Sequence, residues 1–159
     1  MLIREYRPPD FERLYQIDQA AFAPPLAYSR ADLRYYIQAR RGRTLVAEIA
    51  EAGPDSIAGF VVARCAQRGW GTVVTLDVDP AFQRQGLGGR LLAAIEDWLA
   101  GEAVRVVWLE TAADETGARH FYEKHGYQVG ARLAGYYHGR IDAFSMFKRL
   151  AEAGQPAPG

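Results

Sequence analysis

Thr72 to Val78 reads as a strand, Gly86 to Leu99 as an amphipathic helix and Val104 to Thr111 as a second strand. No other feature restricts the fold as much. A helix of this length returns the chain to the edge it left, so the two strands become parallel neighbours joined by a right-handed crossover. Leu87, Leu91, Ile95, Trp98 and Leu99 share one helical face, and Gly101 stops the helix.

The flanking segments add antiparallel elements. Leu2 to Arg7 forms a short strand halted by Pro8-Pro9, after which Asp10 can cap a helix carrying Phe11, Leu14, Ile17 and Ala21 at three- and four-residue spacing. Pro24-Pro25 ends it. Ser29 and Asp32 open a second helix with Leu33, Tyr36 and Ile37 on one stripe, and the basic run Arg40-Arg41-Gly42-Arg43 closes it against the helix dipole, or else attracts an acidic substrate or a phosphate. Thr44 to Glu51 and Ile57 to Ala66 form a hairpin across residues 52–56, and a second short link at 68–71 leads into Thr72 to Val78. Beyond the crossover, a helix from Thr116 to His125 ends at Gly126, suited to the left-handed C-cap. Strands from Tyr127 to Leu133 and from Asp142 to Leu150 complete the pattern. The expected fold is an α/β mixed sheet of about seven strands, with helices on both faces and one parallel crossover.

At 159 residues the chain corresponds to one domain, expected over 1–150, with residues 151–159 a flexible tail too poor in large apolar groups to offset its ordering entropy. Balanced charge, 19 Lys+Arg against 19 Asp+Glu, argues against a nucleic-acid or anionic-membrane partner. The first residues contain no apolar signal segment, and nothing approaches the length of a membrane span, so a cytoplasmic protein is expected. Cys65, the single cysteine, lies in an apolar run and reads as a packed thiol of a reducing compartment. A metal site is not expected: His120 and His125 are five apart on a helix and His138 has no partner in sequence. A serine hydrolase fails for want of its nucleophile elbow.

The chemistry-bearing stretch runs from Val78 to Leu92. Here a strand feeds a loop and then a helix whose first turn holds Gly86, Gly88 and Gly89. Each interior glycine costs about 1 kcal/mol of helix propensity relative to alanine. The arrangement makes sense where a ligand must reach the backbone, because first-turn N–H groups have no intrahelical acceptor and the dipole adds positive charge. A phosphate-bearing ligand is implied, or else simply a tight strand–helix connection. The P-loop pattern fails, since no Gly-Lys-Ser/Thr follows, and the dinucleotide pattern fails at Leu91.

Gln83-x-x-Gly86-x-Gly88, after a strand and opening an amphipathic helix, resembles the acetyl-coenzyme-A loop of the GNAT superfamily of N-acetyltransferases. Glu110, then Ala118-x-x-Phe121-Tyr122-x-x-x-Gly126-Tyr127, is similar to the superfamily's second signature. Tyr136-Tyr137 through Asp142-Ala143 resembles the closing hairpin of protein N-terminal acetyltransferases, in particular the RimI-type ribosomal-protein-alanine branch. The resemblance, over residues 2–150, implies a GNAT-like fold with acetyl-CoA as cosubstrate. It implies that the backbone of Leu76, Asp77 and Val78 binds the pantetheine arm. The amides of Arg84, Gln85, Gly86, Leu87, Gly88 and Gly89 would hold the pyrophosphate. The segment Phe22 to Ser29 stands where such enzymes face their acceptor, and it differs from RimI-type sequences. Glu115 replaces a common asparagine, so that cofactor contact is not carried over.

Acetyl transfer to an amine needs a base for the amine, whose reference pKa is about 8 for an α-amine and 10.4 for lysine, and an acid for the departing thiolate. Tyr122, a phenol protonated at neutral pH, suits the acid, and in the resemblance the tyrosine at this place has that role. It is also consistent with a core tyrosine beside Phe121. Glu110 alternates with Val104, Val106 and Trp108, so it is expected to be partly desolvated, with a raised pKa that suits a base. A solvated carboxylate at the strand's mouth is the plain alternative. Asp77, a carboxylate in an apolar strand, either lies beside the acceptor amine or pairs with an arginine. Tyr136 and Tyr137 either line the acceptor slot or decorate the hairpin surface. The expected partners are acetyl-CoA and a peptide or protein N-terminus, with a small amine as the alternative acceptor. A non-catalytic acyl-CoA sensor and a homodimer both stay open.

Overall fold

The computed structural model describes residues 1–49 and 56–151. The turn expected at 52–56, apart from Ser56, and the tail beyond Ala151 lie outside the described residues. The elements run β1 (Leu2–Glu5), α1 (Phe11–Ala21), α2 (Arg30–Ile37), β2 (Gly42–Glu48), β3 (Ile57–Cys65) and β4 (Trp70–Val78). They continue with α3 (Leu87–Gly101), β5 (Val106–Ala112), α4 (Thr116–Lys124), β6 (Gln128–Tyr137) and β7 (Ile141–Arg149). The strands hydrogen-bond in the order β1-β2-β3-β4-β5-β7-β6. The expected parallel pair is present, with Trp70, Gly71 and Thr72 of β4 opposite Val106, Val107 and Trp108 of β5.

Contacts gather into two compact units, Met1–Arg64 with Val73–Leu99, and Cys65–Thr72 with Ala100–Gly159. In the first, Phe11, Leu14 and Ile17 of α1 and Leu33 of α2 form a buried cluster with Val46, Phe60 and Val62. The opposite side of β3 faces α3: a Cβ on Gly59 would stand 3.2 Å from Leu91 Cδ1 and only 2.8 Å from the Asp77 carbonyl oxygen. Helices therefore cover both faces of this half of the sheet, as the period-2 alternation along β3 requires. Because the Asp77 contact is backbone, Gly59→Ala is expected to cost about 1–3 kcal/mol, seen as a lower denaturation midpoint at unchanged m-value.

Two local expectations are corrected. Asp10 does not cap α1 with its side chain. Its carboxylate accepts from the Arg7 N–H at 2.7 Å and from Arg4 at 2.9 and 3.1 Å, closing the 3₁₀ turn Pro8–Asp10 instead. Burial pushes the Asp10 carboxyl up, but those hydrogen bonds outweigh it and leave the group below its ordinary value. Its stabilising contribution is thus present above that ordinary value and fades as pH falls through the lowered one. The basic run does not close α2, which ends at Ile37. Arg41 sits at φ 59° in the turn, and Arg43 lies in β2, ion-paired to Glu5 and over the Trp98 ring. Ser29 does open α2, accepting from the Asp32 N–H at 3.1 Å.

In the second unit β5 lies between β4 and β7, and its Val107 and Leu109 are buried. The α4 terminus closes as its sequence implies: Gly126 adopts φ 93°, and the Tyr122 carbonyl accepts from the N–H groups of His125 and Tyr127 at 3.0 Å each. The last hairpin is longer than expected, so Tyr136 and Tyr137 fall inside β6. Cys65 is a buried thiol, as expected.

Candidate active site

The glycine loop belongs to the first unit. β4 ends at Val78, and Asp79 starts a 3₁₀ turn, its side chain accepting from the Ala81 N–H at 2.9 Å. Arg13 of α1 binds the same carboxylate at 2.6 Å and the Ile57 carbonyl at 3.0 Å. Burial would raise Asp79, but the Ala81 N–H and Arg13 hold it below its ordinary value, so it stays an anion and the turn stays pinned. Gln83 donates to the Val78 carbonyl at 3.1 Å and ties the loop to the strand end.

From there the backbone twists through two left-handed residues, Arg84 at φ 62° and Gly86 at φ 81°, before α3 begins at Leu87. Residues 83–86 are exposed, whereas Leu87 is buried and anchors the helix start. Apart from its chain neighbours, no heavy atom stands within 4 Å of where a Gly86 Cβ would be, and the Arg90 N–H returns to the Gly86 carbonyl at 3.2 Å. A solvent-open turn with alternating backbone handedness, leading into a helix N-terminus, is the concave donor surface that a phosphate needs. The loop therefore fits the diphosphate of coenzyme A.

Leu76 and Val78 are half-buried and Asp77 is buried. The Asp77 side chain is buried and meets no arginine, which corrects the expected ion pair. It is 1% exposed, and Thr75 Oγ1 donates to its Oδ1 at 2.5 Å. Its other neighbour is the carboxyl of Asp18 on α1, 0% exposed. Asp18 was missed in the sequence, although an aspartate one position after Ile17, on the apolar stripe, was the available signal.

The candidate acid and base lie in the second unit. Glu110 is half-buried on β5, sharing its side of the strand with the half-buried Val106 and Trp108, and stands opposite Ser145 of β7. Tyr122 is 9% exposed on α4, its ring edge-to-face with Phe121 at 5.1 Å and with Tyr127 at 5.5 Å. Glu115, at the N-cap of α4, makes no side-chain cap bond.

Tyr136 and Tyr137 pack edge-to-face at 4.9 Å. Asp142 holds this end of the hairpin, accepting from the Gly135 N–H at 2.8 Å and from Arg132 at 2.9 Å. Tyr136 is 50% exposed and Tyr137 half-buried. Burial, then the neighbouring Tyr136 and the charge of Glu110, push the Tyr137 phenol well above its ordinary value. The fold thus brings Tyr137 within electrostatic reach of Glu110, a proximity that crosses two strand pairings and is invisible to local periodicity. Among the described residues no cluster of metal-ligating side chains occurs, and no helix is long and apolar enough to cross a membrane.

Residues 11–127 match the sequence model of the Acetyltransferase (GNAT) family. The N-alpha-acetyltransferase RimI of Mycobacterium tuberculosis is 31% identical, spanning 93% of this chain and 90% of its own. A ribosomal protein bS18-alanine N-acetyltransferase of Haemophilus ducreyi is 30% identical over 80% of this chain and 83% of its own. Among solved structures, the ribosomal-protein-S18-alanine N-acetyltransferase of Escherichia coli superposes with a TM-score of 0.81 at 27% identity, covering 99% of each chain. The crossover, the glycine loop, the second signature and these likenesses agree: the chain belongs to the GNAT family of acetyltransferases and is an N-acetyltransferase similar to the RimI enzymes.

Proposed function

We propose that this enzyme acetylates the α-amine of a protein N-terminus, a ribosomal protein beginning with alanine being the first acceptor to test. The observation that carries this reading is the extent of likeness to a ribosomal protein bS18-alanine N-acetyltransferase, over 80% of the chain, and to an N-alpha-acetyltransferase, over 93%. Acetyl-CoA, when bound, supplies the acyl group as a thioester. The loop from Arg84 to Gly89 holds the diphosphate through main-chain N–H groups, and the backbone of Leu76, Asp77 and Val78 takes the pantetheine arm. Glu110 accepts a proton from the acceptor ammonium, directly or through a water. Of the two protons that the ammonium loses on becoming an amide, Glu110 takes one and passes it to solvent, and the other replaces the phenolic proton that Tyr122 gives to the leaving sulfur. Tyr136 and Tyr137 border the acceptor amine beside Glu110.

An α-amine, with its reference pKa about 2 units below that of lysine, asks less of a carboxylate base, which suits Glu110 to N-termini. A thiol-release assay with acetyl-CoA against N-terminal peptides, lysine peptides and small amines tests the reading. Alanine-led peptides are expected to turn over fastest, and a preference for lysine or a small amine would overturn the acceptor class. In the same assay Glu110→Gln is expected to lower kcat/KM about tenfold to a hundredfold at neutral pH. The loss should shrink as pH rises and the amine deprotonates unaided. An equal loss at all pH values would remove Glu110 as the base.

A further inference from the structure

Asp18 and Asp77 are both buried, and nothing in the catalytic scheme uses their side chains. Their hydrogen-bond accounts are complementary. Asp18 Oδ2 accepts from the Tyr28 N–H at 2.7 Å and from Gln19 at 3.3 Å, while Asp77 Oδ1 accepts from Thr75. The remaining oxygens, Asp18 Oδ1 and Asp77 Oδ2, receive no hydrogen bond from any other group among the described residues. Two buried carboxylates facing each other with one orphaned oxygen apiece are unstable as a pair of anions, whereas one proton between them satisfies both.

Among the described residues no cation neutralises them. Arg13 on α1 is engaged by Asp79 and the Ile57 carbonyl. Tyr28 donates its hydroxyl to the Val74 carbonyl and packs edge-to-face on Tyr36 of α2. The β3 residues Ile57 and Phe60, which join the α1 cluster, are apolar. Burial first, then Asp18's charge, keeps the Asp77 carboxyl protonated well above the ordinary carboxylate range, with Thr75 opposing.

The group that this pair holds is Tyr28, the end of the connection between α1 and α2. Its N–H goes to Asp18, its carbonyl accepts from Gln19 at 2.8 Å and its hydroxyl reaches Val74 of β4. We propose that Asp18 and Asp77 form a proton-sharing acid–carboxylate clamp that positions residues 22–28 along β4 and thereby sets the affinity for the acceptor. The inference rests on the proposed reading, in which residues 76–78 carry the acyl donor: the connection fastened alongside that strand borders whatever amine approaches the acyl group. Asp18 is then a positioning residue, acting through Tyr28.

Kinetics and amide exchange on the intact protein test it. Asp18→Ala is expected to raise KM for the acceptor peptide about tenfold, with KM for acetyl-CoA within about twofold. Asp18→Asn supplies a permanent N–H donor toward Asp77 and an oxygen for the Tyr28 N–H, and should restore acceptor KM to within about threefold of the parent. In the parent, acceptor KM should climb from neutral to alkaline pH as the shared proton leaves; in Asp18→Asn it should stay level. Exchange of the amides of residues 22–29, measured without substrate and corrected for intrinsic rate, should lose protection over the same pH range in the parent alone.

Equal rises in both KM values, or identical pH profiles for parent and Asp18→Asn, would overturn the clamp. Should Asp18→Ala fail to fold, the Asp18→Asn profile and exchange still decide. Loss of protection at alkaline pH in a protein that acetylates no amine would count against the enzymatic reading and leave the clamp standing. Transfer with unchanged protection would do the reverse.

Discussion

Tyr122→Phe is expected to lower kcat about a hundredfold or more while acetyl-CoA affinity changes by less than about twofold. The substitution removes one oxygen from a ring that is 9% exposed and keeps its edge-to-face packing on Phe121 and Tyr127. The bonds that close α4 use the Tyr122 main-chain carbonyl, so they survive. Folding and cofactor binding should therefore be nearly unaffected, and the loss should fall on the step that needs a proton at sulfur. Steady-state turnover on a confirmed acceptor, with calorimetry for acetyl-CoA, separates these quantities. Parent and variant with equal kcat would leave Tyr122 as a packing residue, the alternative its burial also permits.

Gly86→Val should weaken acetyl-CoA binding about a hundredfold or more, by calorimetry, and lower stability by only about 1–3 kcal/mol. Two causes act together. Gly86 has φ 81°, where a β-branched residue is strained, so the turn that aims the loop amides is lost. The space around its Cβ position is open to solvent, so in the apo protein the new side chain strikes nothing, and stability suffers only through the backbone. A ligand that uses this opening meets the side chain directly. A Gly86→Val variant that binds acetyl-CoA as tightly as the parent would show that the diphosphate rests elsewhere, and the acyl donor would then need another seat.

Much of this molecule was legible before folding was considered. The strand–helix–strand grammar around Leu87 to Leu99 specified the parallel β4–β5 pair, because few chain geometries bury that helix face. Gly126 announced left-handed backbone, because an L side chain is disfavoured there. Signals that depend on competition between partners were misjudged. Asp10 has the chemistry of an N-cap, yet Arg4, six residues away and brought beside it by β1, offers two charge-assisted bonds, and these take the carboxylate. The arginines of 40–43 resemble a helix end, but α2 stops at Ile37, and Arg43 finds Glu5 and Trp98 once β2 is laid down.

The sequence by itself determined the order of elements and the glycine loop that opens α3, since these follow from local backbone preference and periodicity. Only the tertiary structure decided which distant groups meet: Asp18 with Asp77, Tyr28 with Val74, and Glu110 within reach of Tyr137. Periodicity states which face a side chain occupies but carries no information on the register between elements far apart in the chain. The energy of a buried charge is set by that register, through the removal of water and the few ångströms to its neighbour.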